Sequence, residues 1–236
     1  GRRLILDQAV ADRIRQMFAA MGRVMPENNL KQAQFPEGAV VVPNGTLFGD
    51  GICARIKKEL LTEYNLHTII RLPNGVFAPY TGIPTNLLFF DRSGPTRDIW
   101  YYEHPLPAGR KNYTKTQPIQ FEEFTPCIAW WKKREENERA WKWDFRRDHE
   151  EALSKAKPHW DKAEEQRQMA ADLSRQAKEL AKQITELRNG GKPDDAIKRM
   201  MAEREQALAH AAAAEQTAKA EQTAGDAVYW PVFNLD

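Results

Sequence analysis

The 236-residue sequence predicts an α/β sheet domain followed by an antiparallel helical hairpin. Two apolar runs rich in β-branched residues, at 38–48 and 66–73, flank a segment with helical periodicity, which is the pattern of a βαβ unit. From about residue 152 to 223 the composition changes to Ala, Glu, Gln, Lys and Arg, which is typical of long helices. A layered sheet with a separate helical region after it is therefore expected.

The first half of the βαβ pattern is a strand and a helix. The run 38–48 closes at Pro43-Asn44-Gly45, and we expect it to be a buried strand ending in a turn. A helix over Gly51–Asn65 follows, with Asp50 as its cap. Its buried face is predicted at positions three or four apart, namely Ile52, Ile56, Leu60 and Leu61.

Further strands are predicted at Leu66–Pro73 and Thr85–Asp91. Asp98–Glu103 is predicted as an edge strand because its alternation is weak and a turn follows closely, and Lys132–Arg147 as a charged helix. The chain then divides into four parts: an N-terminal helical segment with a possible amphipathic helix over Ala9–Met21 (1–37), a partial α/β domain (38–131), a helical or coiled-coil region (132–227) and an apolar tail (228–236). The aromatic tail must pack against a core or a partner, because such a patch is sticky when exposed.

Two heptad-like seams predict the hairpin. The first has spacings of three and four: Ala170, Leu173, Ala177, Leu180, Ile184 and Leu187. Asn189–Asp195 then combines a glycine helix stop, a proline and an aspartate helix start. The second seam contains Ile197, Met201, Arg204, Leu208 and Ala211. Packing of the two helices against each other explains these seams, and a partner-binding arm is the alternative.

Composition argues against a membrane-spanning, secreted or metal-binding protein, and the charge differs between the two parts of the chain. Residues 1–147 carry 22 Lys and Arg against 16 Asp and Glu, and residues 148–236 carry 13 against 17, so the balance is +6 and then −4. The basic part is compatible with nucleic acid, although a solvated surface is the commoner explanation of such a balance. There is no apolar run of 18 residues and no signal-peptide core, so a cytoplasmic protein without a membrane span is expected. Cys53 and Cys127 lie outside any metal-ligand motif, and no metal site is predicted.

The loop between the strands at 66–73 and 85–91 is unusual. Residues 71–86 combine Asn, Thr, Phe and Tyr with three prolines and two glycines, which suits a shaped loop at a strand end that holds a ligand. Alternatively, Phe77 and Tyr80 merely plug the end of the sheet. The residues by themselves leave both interpretations open.

Several segments resemble the modification (M) subunit of type I restriction–modification systems, a family of N6-adenine DNA methyltransferases that use S-adenosylmethionine. The segments are Gly38–Gly49, Ile56–Leu61, His67–Phe77, Thr85–Asp91, Trp100–Glu103, Arg110–Thr116, Trp130–Trp131, Arg134–Asn137 and Phe233–Asp236. The resemblance implies the later half of a Rossmann-like methyltransferase sheet, whose last strands form a reversed hairpin. The family's glycine-rich cofactor motif and its catalytic Asn-Pro-Pro-Phe motif do not occur in this sequence. We therefore expect no catalytic residue and no bound cofactor in this chain alone, and S-adenosylmethionine in the intact enzyme.

The resemblance also implies site residues and partners. Phe77, Asn74 and Asn86 would line the pocket for a flipped adenine. Arg110, Lys111 and Lys115 would contact the DNA backbone, or are ordinary solvated side chains. The seam residues Leu173, Leu180, Ile184 and Leu187 would bind the specificity (S) subunit, and the restriction (R) subunit would join the full complex. The alternative function is a non-enzymatic interaction module with a coiled-coil arm.

Overall fold

The computed structural model describes residues 5–6, 34–35, 38–190 and 194–235. Most of the predicted N-terminal segment 1–37, including the possible helix Ala9–Met21, lies outside the described residues. Two short strands from that segment, β1 (Ile5–Leu6) and β2 (Gln34–Phe35), pair in antiparallel fashion. The chain forms two compact units, residues 1–147 with 233–236, and residues 148–232. Among the described helices, none is long and apolar enough to cross a membrane.

A mixed five-stranded sheet forms the first unit. Its strands are β3 (Gly38–Pro43), β4 (Asn65–Arg71), β5 (Thr85–Asp91), β6 (Asp98–Glu103) and β7 (Ala140–Asp144), in the order β3-β5-β4-β6-β7. Only β4 and β6 pair in parallel. Because β3 and β4 are both antiparallel to β5, they run in the same direction with β5 between them. The predicted α/β sheet is confirmed, with its βαβ unit split by an antiparallel strand.

Helices cover both faces of this sheet. On one face lie α1 (Asn44–Phe48) and α2 (Ile52–Glu63), together with Phe233 and Leu235 of the tail. On the other lies α3 (Thr125–Lys132), whose Cys127 and Trp130 pack against the sheet. The tail is fixed because Leu235 donates its N–H to Leu47 O at 3.1 Å and accepts from the Tyr101 hydroxyl at 3.3 Å. The apolar end of the sequence thus packs against a core, as predicted.

The first predicted strand is more exposed than expected. It ends at Pro43, where the turn was predicted, and Asn44–Phe48 is a short helix instead of that turn. The strand lies at the edge of the sheet, and Val41 is 49% exposed. The prediction of a buried strand was wrong because a run of valines is equally compatible with an interior strand and with a strand at the edge of a sheet.

The buried face of α2 also differs from the prediction. Ala54, Lys57 and Leu61 face the interior, whereas Ile52 and Ile56 are exposed. The Lys57 stem reaches inward and its ammonium group donates to Leu47 O. Burial lowers the pKa of Lys57. The helix starts after Gly51 rather than with a side-chain cap from Asp50.

The segment predicted as a charged helix contains a strand. β7 lies within Lys132–Arg147 and pairs with β6, so β6 is an interior strand rather than the predicted edge. Ala140 is fully buried, and Trp141 stacks on Tyr101 with ring centroids 5.2 Å apart. Alternating apolar side chains therefore outweigh the flanking charges in this segment.

The second unit is the predicted antiparallel hairpin, formed by α4 (Phe145–Asn189) and α5 (Asp194–Tyr229). Arg188 near the end of α4 reaches Met201 near the start of α5, whereas Arg167 binds Gln222 further along, at 2.8 Å. In α4 every seventh residue is buried: Ala156, Ala163, Ala170, Ala177 and Ile184. These contacts confirm the antiparallel arrangement of the two helices.

The predicted seam of α5 was wrong at its largest residues. Met201 and Leu208 are exposed, and the buried residues between Ile197 and Tyr229 at the two ends of the helix are all small: Ala207, Ala211, Ala214, Ala218 and Gly225. A Cβ atom at Gly225 would lie 2.6 Å from the indole nitrogen of Trp160 on α4. Small residues thus let the two helices approach closely, while the longer side chains flank the contact.

Candidate functional site

The predicted ligand loop lies where several strands end together. Because β3, β4 and β6 run in one direction and β5 in the other, the carboxyl ends of the first three meet the start of β5 at one edge of the sheet. The loop between β4 and β5 projects from this edge, and the segment after β6 lies beside it. Ligands of open α/β sheets commonly bind outside the carboxyl ends of the strands.

Hydrogen bonds within the loop between β4 and β5 give it a defined shape. Leu72 N donates to Thr85 O at 2.9 Å, which closes the base of the loop. Ala78 N donates to Gly75 O at 2.9 Å, and the carbonyl of Phe77 accepts from the N–H groups of both Tyr80 and Thr81. The Phe77 side chain remains 39% exposed and Tyr80 93% exposed. The loop therefore presents an aromatic ring from an ordered backbone.

Tyr113 holds this loop from the segment that follows β6. Its N–H donates to Asn74 O at 3.0 Å. The next residue, Gly75, has φ +80° and lies so close that an added Cβ atom would be 2.1 Å from Tyr113 O. Only glycine fits both the left-handed backbone and this approach. We name residues 74–81 together with Tyr113 the pinned loop.

A charged network fixes Tyr113 in turn. Its ring is buried, and its hydroxyl donates to a Glu123 carboxylate oxygen. Arg110 forms an ion pair with the other carboxylate oxygen at 3.7 Å and lies over the Tyr113 ring. Burial raises the pKa of Tyr113, and the bond to Glu123 raises it further. The same hydrogen bond lowers the pKa of Glu123, so this carboxyl stays ionised at neutral pH.

Asn86 lies in a polar cluster at the start of β5. It is fully buried, and its Nδ2 donates to Asn44 Oδ1 at 2.6 Å. Asn44 in turn donates its N–H to Pro84 O at 3.0 Å. The Oδ1 atom of Asn86 and the hydroxyl of Thr85 are buried without a hydrogen-bond partner. Such orphaned atoms mark a place where a polar group of a ligand or a water is favourable.

His104 adds a second buried polar group near the pinned loop. It stacks on Phe124 with ring centroids 4.5 Å apart, and neither ring nitrogen has a hydrogen-bond partner. Burial lowers the pKa of His104, so the ring is neutral at pH 7. Its N–H backbone group donates to Arg71 O at 2.9 Å, which ties the end of β6 to that of β4.

The structure separates the three predicted DNA-contacting residues. Lys111 and Lys115 are exposed in the segment after β6, while Arg110 is half-buried against Glu123. Of the adenine-pocket residues, Asn74 and Phe77 belong to the pinned loop, whereas Asn86 binds Asn44. The partner-binding residues lie on the hairpin: Ile184 is buried there, and Leu173, Leu180 and Leu187 are half-buried. The roles of all ten residues stay predictions.

A large groove of about 970 Å³ lies on the α3 face of the sheet. Its walls are mainly aromatic and aliphatic, and include Leu87, Phe89, Ile128 and Trp131. Burial raises the pKa of Cys127 in this wall to about 11, so the thiol is protonated and unreactive at neutral pH. Within the described ranges, no group of three or more His, Cys, Asp or Glu could hold a metal ion. The lining is thus mostly apolar, with His67, Asp91 and Lys132 as its polar members.

Sequence reasoning missed Asn44, Thr85, Tyr113, Glu123 and His104. Asn44 carried a weak signal, since it follows a predicted strand directly. Tyr113 and Glu123 carried none, because their roles depend on a contact with a loop almost forty residues away in the chain.

Comparison with known proteins identifies the family of this chain. A family model described as N-6 DNA Methylase matches residues 30–165, more than half of the chain. The chain is similar to the type I restriction enzyme EcoEI methylase subunit of Escherichia coli, with 60% identity over 111 residues, 44% of this chain and 23% of the relative. It is also similar to the EcoKI methylase subunit of Escherichia coli (strain K12), with 36% identity over 97 residues, 37% of this chain and 18% of the relative.

Among solved structures, a modification subunit of a type I restriction enzyme from Vibrio vulnificus YJ016 shows 65% identity, covering 46% of this chain and 22% of that chain with a TM-score of 0.45. The chain thus spans less than a quarter of the length of the relatives named here.

Proposed function

Because the chain belongs to the N-6 DNA methylase family, we propose that it is the C-terminal part of the modification subunit of a type I restriction–modification enzyme. In this proposal the intact enzyme transfers a methyl group from S-adenosylmethionine to N6 of adenine in DNA. DNA is the substrate, and the specificity and restriction subunits are the protein partners.

The pinned loop is the observation that supports this proposal. A flipped base needs a planar side chain to stack on and hydrogen-bonding groups at its edge. Phe77 supplies an exposed ring on an ordered backbone, and Asn74 supplies an exposed amide beside it. Tyr113 and Gly75 hold both residues in place at the carboxyl edge of the sheet. Asn86, whose Oδ1 atom is buried without a hydrogen-bond partner at the same edge, would be the further hydrogen-bonding residue of this pocket.

The described residues do not fit S-adenosylmethionine. Its amino acid and ribose groups need several hydrogen-bond partners, whereas the large groove is walled mostly by aromatic and aliphatic side chains and offers few polar ones, His67, Asp91 and Lys132. We therefore derive no methyl-transfer step from this chain, and propose that another part of the intact subunit supplies the cofactor site. The role of this chain is to position the target base and the DNA.

The exposure of the side chains indicates which residues would contact DNA and which would contact a protein partner. Lys111 and Lys115 are exposed next to the pinned loop and would contact phosphates, whereas Arg110 is held by Glu123 and would contribute less. On the hairpin, the half-buried Leu173, Leu180 and Leu187 flank the alanine seam and would meet the specificity subunit.

Reconstitution tests the proposal. Residues 38–236 would be fused behind the N-terminal part of the EcoEI methylase subunit and expressed with a specificity subunit. Calorimetry should show S-adenosylmethionine binding by the fusion but not by this chain, and the fusion should methylate adenine in DNA. Binding by the isolated chain would contradict the placement of the cofactor site. A fusion that binds the cofactor but never methylates DNA would favour the non-enzymatic interaction module.

A substitution in the fusion tests the pinned loop itself. Phe77→Ala should lower the methylation rate about tenfold or more, since stacking on an aromatic side chain is worth roughly 1–3 kcal/mol per base. Cofactor affinity should not change. Tyr80→Ala is the matched control, because Tyr80 is the more exposed aromatic of the same loop, and its effect should stay within about twofold. Equal losses of methylation rate in the two variants would show that Phe77 does not line the pocket.

A further inference from the structure

Glu123 holds the pinned loop from a short 3₁₀ helix, Phe121–Phe124, which we name the clamp turn. One carboxylate oxygen of Glu123 accepts from the Tyr113 hydroxyl. The other accepts from the N–H of Gln120 at 3.2 Å and closes a capping box at the start of the turn. Because the same carboxylate shapes the turn and fixes Tyr113, a movement of the turn removes a support of the pinned loop.

His104 packs against the clamp turn in a setting that suits only the neutral ring. Its side chain is 4% exposed and stacks on Phe124 of the turn. Both ring nitrogens are buried without a hydrogen-bond partner among the described residues. A neutral imidazole has one N–H donor and an imidazolium has two, so a proton adds both an unmet donor and a buried charge. Protonation therefore destabilises the arrangement that keeps the ring against Phe124.

Two charged groups act on His104 from the elements packed around it. The Glu123 carboxylate favours the protonated ring, whereas the Arg139 guanidinium, just before β7, opposes it. On the side of β4, His104 meets the backbone of Arg71, whose guanidinium donates to the tail at 3.4 Å. The pinned loop itself contains no charged residue. Burial outweighs the attraction of Glu123 and lowers the pKa of His104.

The lowered pKa makes the closed clamp turn less stable in acid. A ring that reaches water has its ordinary pKa of 6.5, so an open arrangement binds more protons than the closed one below this pH. The closed arrangement is thus favoured above pH 6.5 and loses stability as the pH falls. Because Phe124 covers the ring, exposing the ring displaces Phe124, and the adjacent Glu123 separates from Tyr113.

We propose that Glu123 is a positioning residue for the adenine pocket, acting through Tyr113 on the pinned loop, and that a proton on His104 releases this loop. The role in base positioning rests on the proposed function, whereas the release of the loop does not. In the intact enzyme Phe77 would lose its fixed position, and methylation would slow below pH 6.5. Glu123 is still ionised in that range, because its pKa is lowered from 4.5.

Hydrogen exchange of the full chain at pH 7 and about pH 5.5, corrected for the intrinsic exchange rate, tests the release. Amide protection of Tyr113, Ala78 and Tyr80, whose hydrogen bonds shape the pinned loop, should fall about fivefold or more in acid. His104→Gln cannot be protonated and should keep its protection. His210→Gln is the matched control, because His210 is exposed on α5, and it should behave like the wild type. Protection of β7 should not change.

Tyr113→Phe tests whether the release passes through Glu123. This variant keeps the ring but loses the hydroxyl that Glu123 binds, so its loop should be less protected at pH 7 and respond less to acid. Circular dichroism and the urea midpoint at pH 7 check that the variants fold. If His104→Gln does not fold, His104→Phe replaces it, since it keeps a ring to stack on Phe124.

Three results of the exchange experiment would overturn the proposal. They are a wild-type loop that is equally protected at both pH values, an acid response that persists in His104→Gln or in Tyr113→Phe, and a loss of protection that extends to β7. Methylation by the fusion separates the two proposals. A rate that falls less in acid with His104→Gln than in the wild type supports the positioning role, and equal falls overturn it. A loop that is released in acid while the fusion stays inactive contradicts the proposed function instead.

Discussion

Replacing Gly75 by alanine adds a single methyl group and tests how the pinned loop is held. In Gly75→Ala the new Cβ atom would lie 2.1 Å from Tyr113 O, a backbone atom that cannot rotate away. The left-handed conformation at φ +80° also costs a residue with a Cβ atom about 1–2 kcal/mol. If the loop shifts to relieve the overlap, the hydrogen bond from Tyr113 N to Asn74 O is lost, at about 1 kcal/mol.

Together these contributions lower the free energy of unfolding by about 2 kcal/mol. This value allows for the partly compensating gain that arises because alanine has less backbone entropy than glycine in the unfolded chain. Urea unfolding followed by tryptophan fluorescence measures it, because five of the seven tryptophans lie in the sheet unit. With a slope of about 2 kcal/mol per molar urea, the midpoint should fall by about 1 M. Gly82→Ala is the control in the same loop, since a Cβ atom there meets nothing within 4 Å. Equal midpoints for the two variants would refute the reasoning.

Three further predictions concern the network and the hairpin. The lowered pKa of Glu123 means that its contribution to stability is present at neutral pH and is lost as the pH falls below 4.5, so the difference in urea midpoint between wild type and Glu123→Gln should shrink on acidification. A difference that is independent of pH would contradict this. Ile184→Asp should destabilise the hairpin by about 3 kcal/mol or more, while Leu208→Asp at an exposed position should cost less than about 1 kcal/mol. Gly225→Val should also lower the thermal midpoint of the hairpin, because the facing indole leaves no room, and an unchanged midpoint would disprove the close approach.

The sequence pattern correctly predicted those elements that depend only on residues close to them in the chain. The strand at Thr85–Asp91 has the predicted bounds, and the glycine and aspartate around residue 190 correctly separate the two long helices. These elements are set by composition and by residues close in sequence. The turn at Asn44 shows the limit, because a Pro-Asn-Gly turn also starts the short helix α1.

The remaining errors share one physical cause, which is that burial depends on distant partners. Ile52 and Ile56 are more apolar than Lys57, yet the helix turns Lys57 inward because its ammonium group finds the carbonyl of Leu47. On α5 the larger Met201 and Leu208 lie outside, because alanines on both helices allow a closer contact. In each case the sequence shows which residues are apolar but not which face meets a partner.

The pinned loop and the large groove both belong to the sheet unit, but they differ in the chemistry that they offer to a ligand. The contacts that hold the loop among the described residues come from Gly75, Tyr113 and Glu123 of this chain. The large groove, by contrast, is lined mostly by aromatic and aliphatic side chains, with His67, Asp91 and Lys132 as its polar members. On the proposed function, positioning of the adenine and binding of the methyl donor are therefore properties of different parts of the intact subunit. Phe77→Ala and Gly75→Ala should therefore lower methyl transfer without changing cofactor affinity, because neither residue belongs to the proposed cofactor site.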